Sequence, residues 1–318
     1  MNSDQPKTMR DVFIEAVCEK MREDERIFFV SADFGSPALD KVRENFKDRF
    51  INVGIAEQNL INVAVGLGLE GYIVYAYAIA PFITMRPYEQ IRQSLAISSQ
   101  VRPINVNLIG VGAGVSYDVS GPTHHCLEDI SIMRLMPNFT VFSPSDWKLA
   151  EGFVDYSVKA SGPKYLRFDS KPLPSIYGDI GDLDFKKGFY ELLNPPTGGE
   201  KVCLVSTGFM THLALKAAKE LKDIGVVDVF LLKPVDEKSL FESLKKYKYV
   251  IAIEEGFVNN GGLDALVSKI ILDNQSDIRF KRMGFNDKYV FELGGRDYLH
   301  KLNNLDEESI IKTIKECL

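Results

Sequence analysis

The chain has 318 residues, of which 45% are hydrophobic and 26% charged, and its formal net charge is −6 at pH 7. That length exceeds one typical domain and predicts two. The acidic balance argues against nucleic acid or an anionic membrane as the main partner. No apolar run reaches bilayer-spanning length, and the polar stretch Met1–Arg10 lacks the apolar core of a signal peptide. A cytoplasmic protein is therefore expected. Cys18, Cys126, Cys203 and Cys317 are far apart and read as reduced thiols. Of His124, His125, His212 and His300 only the first two are close, so no metal site of the chain's own is expected.

In chain order, Thr8 followed by Val12, Phe13, Ala16, Val17 and Met21 predicts a capped amphipathic helix. Residues 26–30 predict a strand running into the loop Ser31-Ala-Asp33-Phe-Gly35, and Phe50–Val53 a second. From Glu57 to Leu69 the pattern is helical, with Leu60, Ile61, Ala64 and Val65 on one side. Ile104–Ile109 is a strand, followed by a glycine-rich loop through Thr123; Phe139–Phe142 and Tyr165–Phe168 are two more. Between them Ser143-Pro-Ser-Asp146 carries the chemistry that starts a helix. The proline- and glycine-bearing stretch 176–200 reads as a linker, with a weak strand near Gly188–Leu193 able to pair at a sheet edge.

A second alternation follows: strands at 202–206, 226–232, 249–253 and 278–283, and helices at 211–221, 236–247, 262–272 and 306–317. The expected fold is α/β, with two three-layer domains of mainly parallel sheet, residues 1–175 and 201–318.

The first chemically informative segment is Gly54-Ile-Ala-Glu57-Gln58. Glu57 opens a helix, where the dipole favours an acid. It also follows a strand, at the kind of strand end where α/β proteins place ligands. Gly54–Gln58 resembles the signature of the pyrimidine-binding domain in transketolases. In that family the glutamate hydrogen-bonds a ring nitrogen of thiamine diphosphate, which helps the cofactor's own amine take up a proton.

Further segments carry the same resemblance in order. Ser31-Ala-Asp33 is similar to the family's strand end, whose aspartate lies near the cofactor. Phe82, Met85 and Tyr88 stand at helical spacing, where the family packs aromatic residues on the aminopyrimidine; Met85 departs, though a thioether also lies against a ring. Gly121-Pro-Thr-His124 is similar to the loop whose histidine faces substrate, and His125 replaces a common glutamine. Gly162–Arg167 resembles the segment whose arginine binds the sugar phosphate. Val205–Gly208, Lys233-Pro234, Glu254–Gly256 and Gly261-Gly262 resemble the family's C-terminal domain, to which no chemistry is assigned.

The resemblance covers about residues 8–315 and implies a catalytic pair Glu57 and His124. It implies cofactor contacts from Asp33, Glu57, Phe82, Met85 and Tyr88, and substrate contacts from Ser36, Ser120, His124 and Arg167. The family's diphosphate module, with its Gly-Asp-Gly motif, has no counterpart here; Gly178-Asp-Ile and Gly181-Asp-Leu are the nearest matches. A separate N-terminal subunit is therefore expected to hold the diphosphate through Mg²⁺ or Ca²⁺, in an α2β2 assembly.

Two departures bear on substrate. Ser120 stands where many transketolases have an aspartate, and the phosphate-binding histidine expected eight residues earlier is absent. Ketol transfer between sugar phosphates is the reading preferred. A 2-oxo acid donor, as in deoxyxylulose-phosphate synthase or a 2-oxoacid dehydrogenase beta subunit, is the alternative.

Overall fold

The structure, a computed structural model, describes residues 5–178, 180–181, 183–195, 202–221 and 223–318. Part of the expected linker (196–200) and the aspartates at 179 and 182 lie outside these.

The first half builds a sheet from β1 (Ile27–Ser31), β2 (Phe50–Asn52), β3 (Ile73–Ile79), β4 (Val106–Val111), β5 (Thr140–Phe142) and β6 (Lys164–Phe168). The second builds another from β7 (Phe189–Leu193), β8 (Val202–Ser206), β9 (Ile224–Val229), β11 (Tyr249–Phe257) and β12 (Arg279–Phe285). A short strand that follows β9 in the chain, β10 (Leu231–Lys233), belongs to the first sheet. The orders are β10-β5-β6-β4-β3-β1-β2 and β12-β11-β8-β9-β7. All neighbours are parallel except β10 on β5 and β7 on β9. The expected α/β class with mainly parallel sheets is what the chain forms.

Burial explains why these segments are strands. β4, β6, β8 and β9 are buried along their whole length, as sheets covered on both faces require. The helix Glu57–Leu69 covers one face through Leu60, Ile61, Ala64 and Val65, each large apolar side chain contributing about 1.5–3 kcal/mol. Its Gly68 is needed for close approach, since a Cβ there would lie 2.6 Å from Ile104 Cγ2.

Some expectations need correction. The run 226–232 is not one strand: it breaks at Phe230, and Leu231–Lys233 crosses to pair with β5. Buried Leu231 joins the core beneath the first sheet, which rewards the crossing. Thr8 precedes the first helix, Met9–Glu23, but donates its hydroxyl to Asp11 Oδ2 at 2.6 Å rather than capping an amide. In Ser143–Asp146 it is Asp146 that caps, accepting from Leu149 N, and Pro144 lies outside the helix Trp147–Lys159. Beyond the spacing of Phe82, Met85 and Tyr88 no expectation covers 70–103, which holds β3, an interior strand of the first sheet. The helix Arg296–Leu302 is likewise unforeseen.

Candidate cofactor and substrate site

The C-terminal ends of β1, β2, β3, β4 and β6 share one edge, and nearly every candidate residue follows one of them. This is the edge where open parallel sheets bind ligands.

Glu57 starts the helix after β2 and is 3% exposed. Its Oε1 accepts from Arg86 Nη1 at 2.7 Å. The Arg86 guanidinium also lies 3.9 Å from the Phe82 ring centroid, a cation–π contact. Gln58 Nε2 bonds the Arg86 carbonyl at 3.3 Å. Buried carboxylates need such pairing, and Arg86 supplies it from a side chain that is 43% exposed.

Phe82 meets His124 edge-on with centroids 5.3 Å apart, and Tyr117 flanks the imidazole at 6.2 Å. His124 Nδ1 pairs with Thr123 Oγ1 at 3.0 Å, which leaves Nε2 as the ring nitrogen not engaged in that bond. Met85, at the surface, borders a cavity of about 440 Å³ together with Phe82, Arg86, His125, Glu128 and Phe291. Burial pushes Glu128 above its usual carboxyl value and His125 below its usual imidazole value. Glu57, Phe82, Met85 and His124 are thus brought together.

The other candidates are placed differently. Asp33 lies at the same edge with φ of 54°, exposed, where Asn52 Nδ2 donates to its Oδ1 at 2.9 Å. Asn52 Oδ1 in turn accepts the amides of Asp33 and Gly54, tying the ends of β1 and β2. Ser120 is exposed on the loop, its amide bonded to Tyr117 O at 3.0 Å.

Three candidates have their side chains engaged elsewhere. Ser36 is buried and caps the helix Pro37–Asn45, its hydroxyl accepting Leu39 N at 3.2 Å. Tyr88 turns away from Phe82: its hydroxyl donates to Ile132 O at 3.1 Å and its ring borders a separate cavity with Arg92 and Met136. Arg167 is 2% exposed, with Nε on Asp129 Oδ2 at 2.7 Å and Nη2 on the carbonyls of Cys126 and Glu255. Despite the cost of burial, Asp129 and its neighbours hold that guanidinium charged. A guanidinium committed inside the protein does not reach a sugar phosphate.

Arg86 is the residue that sequence reasoning missed. Its only signal was its place one step after Met85. Tyr289 and Phe291 left none, because they reach the cavity by tertiary approach from the second half.

A buried acid beside an aromatic and histidine cluster, at the ligand edge of a parallel sheet, defines a cofactor-binding α/β enzyme module. The family description "Transketolase, pyrimidine binding domain" matches residues 5–174, and "Transketolase, C-terminal domain" matches residues 193–310. The chain belongs to the transketolase family and is a transketolase-type transferase subunit, of a family that uses thiamine diphosphate. It is similar to one of the subunits of the apulose-4-phosphate transketolase of Actinobacillus succinogenes, at 33% identity over 95% of this chain and 96% of that one. It is similar to a 6-deoxy-6-sulfo-D-fructose transketolase subunit of a Clostridium species, at 30% identity over 97% and 94%. Among solved structures it resembles a split gene transketolase described as an inactive beta4 tetramer, with a TM-score of 0.84, 31% identity and 98% of each chain covered. No helix among the described residues is long and apolar enough to cross a membrane.

Proposed function

We propose that this chain is the C-terminal subunit of a split, thiamine-diphosphate-dependent transketolase of the cytoplasm. It moves a two-carbon ketol unit between sugar or sugar-phosphate substrates, and works only with an N-terminal subunit that holds the diphosphate through Mg²⁺ or Ca²⁺, in an α2β2 assembly. Residues 1–175 would form the pyrimidine-binding unit and 201–318 the C-terminal unit, with 176–200 between them.

The observation that carries this reading is the cluster of Glu57, Arg86, Phe82 and His124, left open on one side. Exposed apolar residues border that opening: Met85, Tyr289 and Phe291. Such a surface suits coverage by a second chain.

The residues present fit the cofactor's aminopyrimidine. Glu57 offers a carboxylate at the buried end, and Phe82 with Met85 offers an apolar wall. Arg86, which holds Glu57, is exposed enough to yield its place. Thiamine diphosphate, when bound, supplies the nucleophilic carbon and the electron sink for cleaving the bond next to a carbonyl. Glu57 would hold a proton shared with the ring nitrogen. His124, oriented through Nδ1 by Thr123, would present Nε2 to a hydroxyl or carbonyl oxygen of the substrate. Phe82 and Met85 would keep water from the ring face.

The test is reconstitution with the neighbouring diphosphate-binding chain, thiamine diphosphate and Mg²⁺, assayed with xylulose 5-phosphate and ribose 5-phosphate. Activity in the mixture and none in either chain alone is expected. Turnover by this chain alone would refute the split, and a complex active on pyruvate but not on ketoses would refute ketol transfer.

A further inference from the structure

The loop between β4 and Asp129 carries Ser120 and His124, and residues of the second half of the chain add to its own hydrogen bonds. A two-way bridge between Gly114 and Cys126 closes its base, with N–O distances of 3.1 and 2.8 Å. Gly114 has φ of 57°, and a Cβ there would collide with the Glu255 carboxylate, so the loop lies directly on a residue of the second half. At the far side of the loop Leu293 packs on Gly121, 3.3 Å from where its Cβ would be.

One arginine gathers these segments. Arg296 is buried, with its guanidinium 3.6 Å from the Phe209 ring centroid. Its Nε donates to Glu255 Oε1 at 2.8 Å, Nη2 to Glu255 Oε2, and Nη1 to Asp169 Oδ2 at 2.6 Å. Its backbone N–H donates to Asp118 Oδ2 at 2.8 Å. Asp118 is in the loop itself; its Oδ1 accepts Val119 N at 3.0 Å, and Lys171 bonds Oδ2. His300 Nε2 completes Glu255 at 2.6 Å. Against the cost of burial, Arg296 and His300 hold Glu255 well below the usual carboxylate range, and Lys171 and the Arg296 amide lower the pKa of Asp118. Three carboxylates from the loop, the end of β6 and β11 thus converge on one residue of the helix Arg296–Leu302.

A guanidinium fork fixes direction as well as charge; here it fixes Asp169 and Glu255, against which Gly114 of the loop lies, while the backbone N–H of the same residue fixes Asp118. We infer that Arg296 is a positioning residue: it sets the loop that places His124, and so makes the second half of the chain a working part of the site. His124 lies six residues past Asp118, on turns whose amides bond back to Gly121 O at 3.0 and 3.2 Å. A shift of Asp118 is therefore carried to the imidazole. This inference rests on the reading that His124 faces substrate.

The test uses the reconstituted two-chain complex with Arg296→Lys, which keeps the charge and the backbone N–H but loses the fork on Glu255 and Asp169, and with Asp118→Ala, which leaves the guanidinium intact and removes the loop's bond to the Arg296 backbone N–H. Bound thiamine diphosphate is counted for each complex, so that kcat is expressed per loaded site. The expected result is a kcat per loaded site lowered roughly 10–100-fold, as for a catalytic group displaced by about 1 Å, with cofactor affinity within about twofold of the parent. A merely structural role would instead lower the loaded fraction and leave kcat per loaded site within about twofold; that outcome overturns the inference. Should the parent complex transfer no ketol group, the functional reading falls, and the tie is read from amide exchange in the full chain. The amides of His124, His125 and Cys126 should then exchange at least about tenfold faster in Arg296→Lys, and unchanged exchange overturns it.

Discussion

Replacing Arg167 by methionine separates the two roles the sequence and the structure give it. Asp129 is completely buried, and its Oδ2 accepts from Arg167 Nε at 2.7 Å and from Tyr165 Oη at 2.6 Å. With the arginine gone, the carboxylate keeps only the phenol. Breaking a buried pair by removing one partner costs about 3–5 kcal/mol, because the remaining charge is uncompensated. The average unfolding entropy of about 2.1 cal/mol/K per residue, taken over 318 residues, converts this into a fall in Tm of about 4–7 °C. Calorimetry of the parent, Arg167→Met, Asp129→Leu and the double variant forms a cycle. The double variant should recover much of the loss, since burying two apolar groups in place of the pair is near neutral. A Tm within about 1 °C of the parent, together with a raised KM confined to phosphorylated substrates, would refute this account and return Arg167 to phosphate binding.

Three further outcomes are expected. Glu57→Ala in the two-chain complex should lower ketol transfer about 10²–10⁴-fold, the range for a positioned proton-transfer group, without preventing assembly as seen by size-exclusion chromatography; near-parent turnover removes Glu57 from the scheme. Burial raises the pKa of Asp228 to about 7 although Ser145, Tyr177 and Thr211 donate to it. Its folded value lies above the ordinary one, so the stability it contributes is full below about pH 4 and is lost as pH rises toward about 7; Asp228→Asn should flatten that part of the Tm–pH curve, and an unaltered curve contradicts the assignment. Gly114→Ala should lower Tm by several degrees, because φ is 57° and the added methyl meets Glu255, whose carboxylate Arg296 and His300 hold fast; a silent substitution would mean that the loop gives way freely.

Short-range chemistry was the legible part of the sequence. The helix 57–69 could be read to its ends, because an acid opens it and Leu60, Ile61, Ala64 and Val65 repeat at helical spacing. Strand-length apolar runs gave β1, β8 and β11, and the ligand edge followed from where those runs end. What escaped depends on where side chains point after folding. Phe82 and Tyr88 stand near one another in sequence, yet only Phe82 reaches His124, since the helix Ala80–Met85 ends between them and Tyr88 leans toward Ile132. Arg167 and Arg86 were indistinguishable as arginines; burial makes the first an internal strut and leaves the second at Glu57. Nothing local at Arg296 signals that Asp118, Asp169 and Glu255 meet there, because those residues come together only when the two halves pack.

The crossing of β10 has a consequence for dividing this polypeptide. β5 owes one of its two neighbours to Leu231–Lys233, a segment embedded in the second half. A fragment ending near residue 195 would show β5 as a bare strand margin with unpaired amides and carbonyls, a template for pairing with other molecules and so for aggregation. The complementary fragment would carry Phe230 and Leu231, buried in the whole chain against the first half, into water. The two halves are thus interlaced rather than strung together, and a viable break in the polypeptide would have to fall outside the span from β5 to β10.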